Sequence, residues 1–382
     1  KTRTMKSSLS TSQRLASGLI IVSLTVYFLI LAKFLLAPLA FAALFAIMLQ
    51  PITGFLERII TNRFISILIT FIIALIPLAG IIVLFSYQFA NIMDSLPDIA
   101  GKIKAGINVI FQWLEENTTL SAEDRTSWIQ KNISNLLDAP MGFIKTGLAT
   151  SSTLLFNIVF TILGIFFLLL YRTGVQNFML MQFGPRSRKE FQQVLSQIRG
   201  TIQHYLYGML TVIGILAILN SSGLALIGIG YPLFWGALGA LLAIIPYIGT
   251  TIGGILPFVY AIATTTTLWQ PLGVILLYGT IQSIEGNLIT PKVVGSSVNV
   301  NPFIALISIL LGGAIWGIAG IVLALPVVAV IKLIFDHIDF LKPVGLLMSD
   351  NVHKDEDKFL TDYDKDKFRL ITFLRERRKK DD

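Results

Sequence analysis

The chain alternates long apolar runs with short polar stretches, and the length of each run says what it is. Residues 15–32, 34–52, 64–90 and 152–171 are almost continuously apolar, and about 20 such residues in a helix cover the roughly 30 Å of a bilayer's hydrocarbon core. They predict membrane spans. The polar stretches carry the orientation. Lys1, Arg3, Lys6 and Arg14 precede the first run, Glu57, Arg58 and Arg63 separate the second from the third, and Arg172, Arg186, Arg188, Lys189 and Arg199 follow the fourth. Basic residues collect on the cytoplasmic side, so these stretches predict inner-face landings with both termini in the cytoplasm. The first run exceeds the length of a signal peptide's apolar region and lacks a small-residue cleavage pattern, which predicts a retained span. Lys33 interrupts the first two runs, which are expected to form a hairpin with this side chain snorkelling to the interface.

Between residues 91 and 150 the hydropathy drops, yet Ile103, Ile107, Ile110, Phe111 and Leu114, then Trp128, Ile129, Ile133, Leu136 and Leu137, recur at helical spacing. That predicts an extracytoplasmic helical insert. Phe191, Val194, Leu195, Ile198, Ile202 and Tyr205 predict an amphipathic helix along the inner interface or against the next span, 206–229. Beyond residue 206 glycine and proline become dense within apolar sequence. Residues 231–257 and 301–326 form a weak repeat: each opens at an X-Pro, has a Gly-rich middle and ends on a proline, with 257−232 = 25 and 326−302 = 24 positions between prolines. Interrupted apolar segments in corresponding halves point to a transporter's binding site. Two readings fit, re-entrant helical hairpins or ordinary helices whose glycines allow close packing. Gly249, Gly253 and Gly254 suit such close backbone approach.

The expected protein is all-α and polytopic, with about eight hydrophobic segments. Its expected parts are an N-terminal scaffold (1–90), the insert (91–150), a span with the amphipathic helix (151–205), a transport core (206–342) and a charged cytoplasmic tail (343–382). Composition agrees, since 54% of the 382 residues are hydrophobic and 14% charged, with mean hydropathy +0.75, against about 25% charged in soluble domains. The net charge of +8 arises ahead of the tail. From Asp350 onward ten acidic residues balance ten basic ones, leaving 30−10 = 20 basic against 22−10 = 12 acidic before it. Such a surplus fits inner-face loops and does not imply nucleic acid.

Candidate chemistry gathers in 282–302, where Glu285, Asn287 and Lys292 interrupt apolar sequence. A charge at the centre of a membrane helix costs about 2.5–3.5 kcal/mol, so a retained Glu285 is a functional-site candidate. Pro291 has no N–H, so a helix through it leaves the Asn287 carbonyl without its usual donor. Gln282, Glu285 and Asn287, with broken backbone around Pro246 and Pro291, are the expected lining of a site for a small polar solute. Glu285 is the expected carrier if protons are coupled, because removal from water favours a carboxylate's neutral form. A monovalent cation/proton antiporter would use the same carboxylate with backbone carbonyls, and a non-transporting scaffold or receptor would use the insert instead. Glu285 and Lys292 as a structural pair, and Asn287 as a partner for freed carbonyls, are the plainer alternatives. No enzyme motif is present: His204, His337 and His353 belong to no metal set, cysteine is absent, and no phosphate loop or nucleophile elbow occurs. No cofactor is expected.

Ile245-Pro246-Tyr247-Ile248-Gly249, Glu285-Gly286-Asn287 with Pro291, Asn301-Pro302, Gly312-Gly313, Gly317-Ile318-Ala319-Gly320 and Leu325-Pro326 together resemble the pattern of the autoinducer-2 exporter (AI-2E) family of bacterial transporters. The resemblance extends to about Lys342. It implies a multi-pass inner-membrane protein, a homo-oligomer and specifically a pentamer, in which the C-terminal half carries substrate past a fixed scaffold. Family members are linked to export of a quorum-sensing signal or to sodium/proton exchange, so the resemblance implies a transporter without fixing its solute.

Overall fold

The computed structural model describes residues 11–94, 151–245, 248–265, 267–293, 299–350, 352 and 357–365. The expected insert beyond Asp94, the basic stretch before Thr11, Pro246 and most of the charged tail lie outside the described residues. Among the described residues the regular elements are helices only: α1 (Thr11–Leu31), α2 (Lys33–Ile59), α3 (Arg63–Asp94), α4 (Ser151–Met181) and α5 (Pro185–Ile227), then α6 (Pro232–Leu242), α7 (Ile248–Thr264), α8 (Trp269–Ile284), a π-helical turn (Glu285–Ile289) and α9 (Thr290–Val293), and finally α10 (Pro302–Trp316), α11 (Ile318–His337), a 3₁₀ turn (Asp339–Leu341), α12 (Lys342–Met348) and α13 (Lys358–Thr361). Six of the described helical stretches are long and apolar enough to cross a membrane. The protein is an all-α, multi-pass membrane protein.

The chain divides into two compact units. The first comprises residues 1–51, 160–206 and 296–382, the second 52–159 and 207–295. In the first unit the expected hairpin between the first two runs is absent. A single residue, Ala32, separates α1 from α2, with Ala32 N–H donating to Phe28 and Leu36 N–H to Ala32. A helical hairpin needs a loop of about two to five residues, which this junction lacks. The Leu29 carbonyl, which an unbroken helix would give to Lys33, instead accepts the Trp316 indole N–H at 2.9 Å. Pro51 acts in the same way farther along α2. It cannot donate to Ile47, and the Gln203 side-chain amide supplies the missing bond at 2.8 Å.

The expected amphipathic helix and the span after it are one uninterrupted helix, the 43-residue α5. No glycine or proline cluster lies between Phe191 and Val212 to end it, so helix propagation wins over the change in hydropathy. The two Gly/Pro-rich segments each form a pair of packed helices. α6 with 11 residues and α10 with 15 reach only about 16 and 22 Å at 1.5 Å per residue, short of a bilayer. Pro257, expected to end its segment, lies inside α7 and is fully buried.

Glycines close both pairs. In α6/α7 a Cβ on Gly253 would lie 2.7 Å from the Gly239 Cα, and a Cβ on Gly249 would overlap the Leu242 carbonyl. In α10/α11 Gly312 and Gly320 face each other so closely that a Cβ on either would overlap the other's carbonyl. Backbones this near gain dispersion contact along their length, which is how helices associate where lipid removes the hydrophobic driving force.

Candidate functional site

Glu285 belongs to the second unit, where α8 runs through the π-helical turn into α9. One side of this helix is anchored. Ile281 is buried with Val212 and Leu216 of α5 and Ala240 of α6, and Ile289 and Val293 pack against the same cluster. Pro291 explains the turn itself. Without a proline N–H the α-helical ladder cannot close on Asn287, and the chain widens so that Thr290 N–H donates to the Glu285 carbonyl, five residues back.

The widened turn changes which side chains meet. In an α-helix five residues rotate by about 500°, leaving Thr290 about 140° away from Glu285. A turn closed at five residues stacks the two instead. The Thr290 hydroxyl donates to Glu285 Oε1, while Gln282 Nε2 donates to Oε2 at 2.9 Å. Glu285 is half-buried, and its carboxylate holds a donor on each oxygen. π-turns of this kind occur often at functional sites. Thr290 was not singled out from the sequence because its contact depends on the changed helical register.

The other expected site residues divide. Gln282 joins Glu285 directly. Asn287 is exposed and turns back along its own helix, Nδ2 donating to the Ser283 carbonyl at 2.9 Å. Pro291 and Lys292 are exposed on α9. Gly249 is buried at the start of α7, where it admits the Leu242 carbonyl. Asn301 belongs to the first unit and caps α10: its side chain accepts from Ile304 N–H at 2.9 Å and donates to the Leu347 carbonyl at 2.7 Å. It ties the α10 N-terminus to α12.

The second unit holds a further polar group that the sequence shows only in part. Asn220 Oδ1, Ser221 Oγ, Trp235 Nε1 and Tyr278 Oη are buried without a hydrogen-bond partner among the described residues. Ser221 of α5 and the Tyr278 hydroxyl of α8 meet α6 at Gly236 and Gly239, three residues apart on one face. A buried polar atom left unpaired costs about 1–3 kcal/mol. Asn220 and Ser221 were visible as polar residues inside an apolar span, but Trp235 and Tyr278 look like ordinary aromatic core until their polar atoms are located.

Lys332 was also missed. It is 7% exposed within the apolar helix α11 and bonds Asp336 at 2.6 Å, one turn later. Its sequence signals are a charge inside an apolar run and the i,i+4 spacing of Lys and Asp. Among the described residues no group of three or more acidic, histidine or cysteine side chains could hold a metal ion. A cavity of about 220 Å³ lies elsewhere, wholly within the first unit, between α2, α4 and α5.

Comparison with known proteins agrees with this architecture. The sequence pattern of AI-2E family transporters matches residues 19–340. The chain is 32% identical over 154 residues to the "Putative transport protein YrrI" of Bacillus subtilis, a stretch covering 40% of this chain and 43% of that one. It is 24% identical over 324 residues to a "Putative transport protein" of Borreliella burgdorferi, covering 83% and 85%. It is 20% identical over 327 residues to the "AI-2 transport protein TqsA" of Escherichia coli, covering 83% and 90%. With its helical membrane architecture and a family match over most of its length, the chain belongs to the AI-2E family, whose members are transport proteins and not enzymes.

Proposed function

We propose that this protein is a secondary transporter of a small polar solute, working by alternating access in the inner membrane with a cytoplasmic C-terminus, and that Glu285 is the group whose protonation is coupled to movement. The observation that carries this reading is the Glu285 carboxylate on a π-turn, bracketed by Gln282 and Thr290, in a helix apolar enough to span a bilayer. A carboxylate in that setting must gain something to offset its desolvation. The polar atoms of Asn220, Ser221, Trp235 and Tyr278 in the same unit, unpaired among the described residues, add donors and acceptors of the kind a polar solute requires. No nucleotide-binding motif is present to supply energy, so a solute or ion gradient drives the cycle.

TqsA is named an AI-2 transport protein, which makes autoinducer-2 a natural first solute to test. Purified protein in liposomes, given an imposed proton gradient, is expected to move the solute, with Glu285→Gln losing most of the flux while keeping its thermal unfolding profile. Unchanged flux in Glu285→Gln would remove Glu285 from the mechanism. Sodium-dependent proton movement without solute flux would instead identify a cation/proton antiporter, and no flux of either kind a scaffold or receptor.

A further inference from the structure

We infer that the cavity between α2, α4 and α5 is a binding site for the phosphate headgroup of an anionic phospholipid of the inner leaflet. Its lining holds two arginines, Arg172 and Arg199, and two glutamines, Gln50 and Gln176, and every other lining side chain is apolar. No lining residue carries negative charge. The spacing shows three helix faces turned inward: Ala43, Ile47 and Gln50 recur on α2, Leu168, Arg172 and Gln176 on α4, and Leu195 with Ile198 and Arg199, three and four residues on, on α5.

The position of the cavity along these helices points to lipid. Gln50 closes the apolar run of α2, Arg172 directly follows that of α4, and Arg199 comes two turns before that of α5. All three polar ends fall on the face where Arg186, Arg188 and Lys189 also collect, which the positive-inside rule makes cytoplasmic. From Gln50 and Arg172 the walls continue toward the hydrocarbon as Ala43, Ile47 and Leu168. Beside the cavity Phe167 and Tyr171 of α4 are exposed, a surface suited to acyl chains. A basic recess between membrane helices at the cytoplasmic face is the type of site that holds anionic headgroups.

Size and charge narrow the ligand further. At about 220 Å³ the cavity is smaller than the roughly 300–1,000 Å³ that encloses a whole drug-sized molecule, so it takes a headgroup and leaves the chains outside. Guanidinium forks match phosphate oxygens in pairs. Two of them favour a headgroup of net negative charge over phosphatidylcholine, whose ammonium they repel.

The test is native mass spectrometry of the full-length, delipidated protein titrated with phosphatidylglycerol or phosphatidylcholine. Wild type is expected to retain phosphatidylglycerol in preference to phosphatidylcholine. Arg172→Gln and Arg199→Gln should each weaken that retention by roughly fivefold, while Lys189→Gln, outside the cavity, leaves it unchanged. Ala43→Leu, which keeps both arginines and fills the space, should weaken it as well, which separates a lost site from a misfolded protein. Elution volume and unfolding temperature are compared for every variant. Equal retention of the two lipids, or full phosphatidylglycerol binding in a folded Arg172→Gln/Arg199→Gln protein, overturns the assignment. Displacement of the lipid by millimolar sn-glycerol 3-phosphate would also overturn it and identify a site for soluble phosphorylated compounds.

Discussion

The two helical pairs, α6/α7 and α10/α11, share a sequence design and differ in how well their polar groups are satisfied. Both open on an X-Pro, both have a first helix too short to cross a bilayer, and both close on apposed glycines. In α10/α11 the N-cap Asn301 accepts from Ile304 and clamps Leu347, Trp316 Nε1 donates to Leu29, and Lys332 meets Asp336. In α6/α7 the N-cap Tyr231 has a left-handed backbone, φ 55°, and makes no side-chain cap bond. Trp235 Nε1 of α6, and Ser221 and Tyr278 packed on it, have polar atoms without partners among the described residues. A bulky residue with positive φ and several unpaired polar atoms each cost free energy. Under the proposed function, the satisfied pair would serve as structural support and the unsatisfied one would handle solute.

The most severe way to test that contrast is at the glycines. Gly320→Ala places a methyl against the Gly312 carbonyl, and a scaffold held by that contact should lose about 3 kcal/mol or more, read as reduced yield and a lower unfolding temperature in detergent. Close behind comes Trp316→Phe, which strands the Leu29 carbonyl and should cost about 1–3 kcal/mol while leaving the apparent KM for solute unchanged. Tyr278→Phe is expected to do the reverse. Deleting an unpaired buried hydroxyl should leave stability equal or higher by up to about 1–3 kcal/mol, yet slow solute flux in proteoliposomes. A destabilised, fully active Tyr278→Phe would break the comparison. Asn301→Ala removes a cap and should cost about 1 kcal/mol with transport intact.

The smallest effect is expected on the exposed flank of α11. Its hydrogen bond to Asp339 raises the Lys342 ammonium above the ordinary lysine range. A raised lysine contributes stability below its unfolded pKa and loses it as pH rises through the folded value. Lys342→Met should therefore be nearly silent in unfolding scans at neutral pH, with what difference exists disappearing under strongly alkaline conditions.

Much of the helical architecture was legible because run length and glycine or proline placement act locally. The spans around 64–90 and 152–171 appear as α3 and α4, and each Gly/Pro-rich segment opens a pair of packed helices whose first member is short. The junction at Ala32 is not legible in the sequence, because a single lysine between apolar runs looks the same whether the chain reverses or only breaks its ladder. The unity of the 43-residue α5 is likewise hidden, because hydropathy reports where water lies, whereas the backbone ladder continues through a change of solvent. At the candidate site Glu285 and Pro291 stood out by charge and by a missing donor. Thr290 and Tyr278 did not, since one reaches Glu285 only through the π-turn and the other is exceptional only because its hydroxyl has no hydrogen-bond partner among the described residues.

By itself the sequence determined that this is an apolar, helical, membrane-crossing chain with an acidic side chain beside a proline, because solvent preference and a missing N–H are properties of residues. Which polar groups find partners was decided by tertiary structure alone. Pairing depends on the direction each side chain takes from its helix and on how close glycine lets the next backbone come, and neither is written in the local pattern.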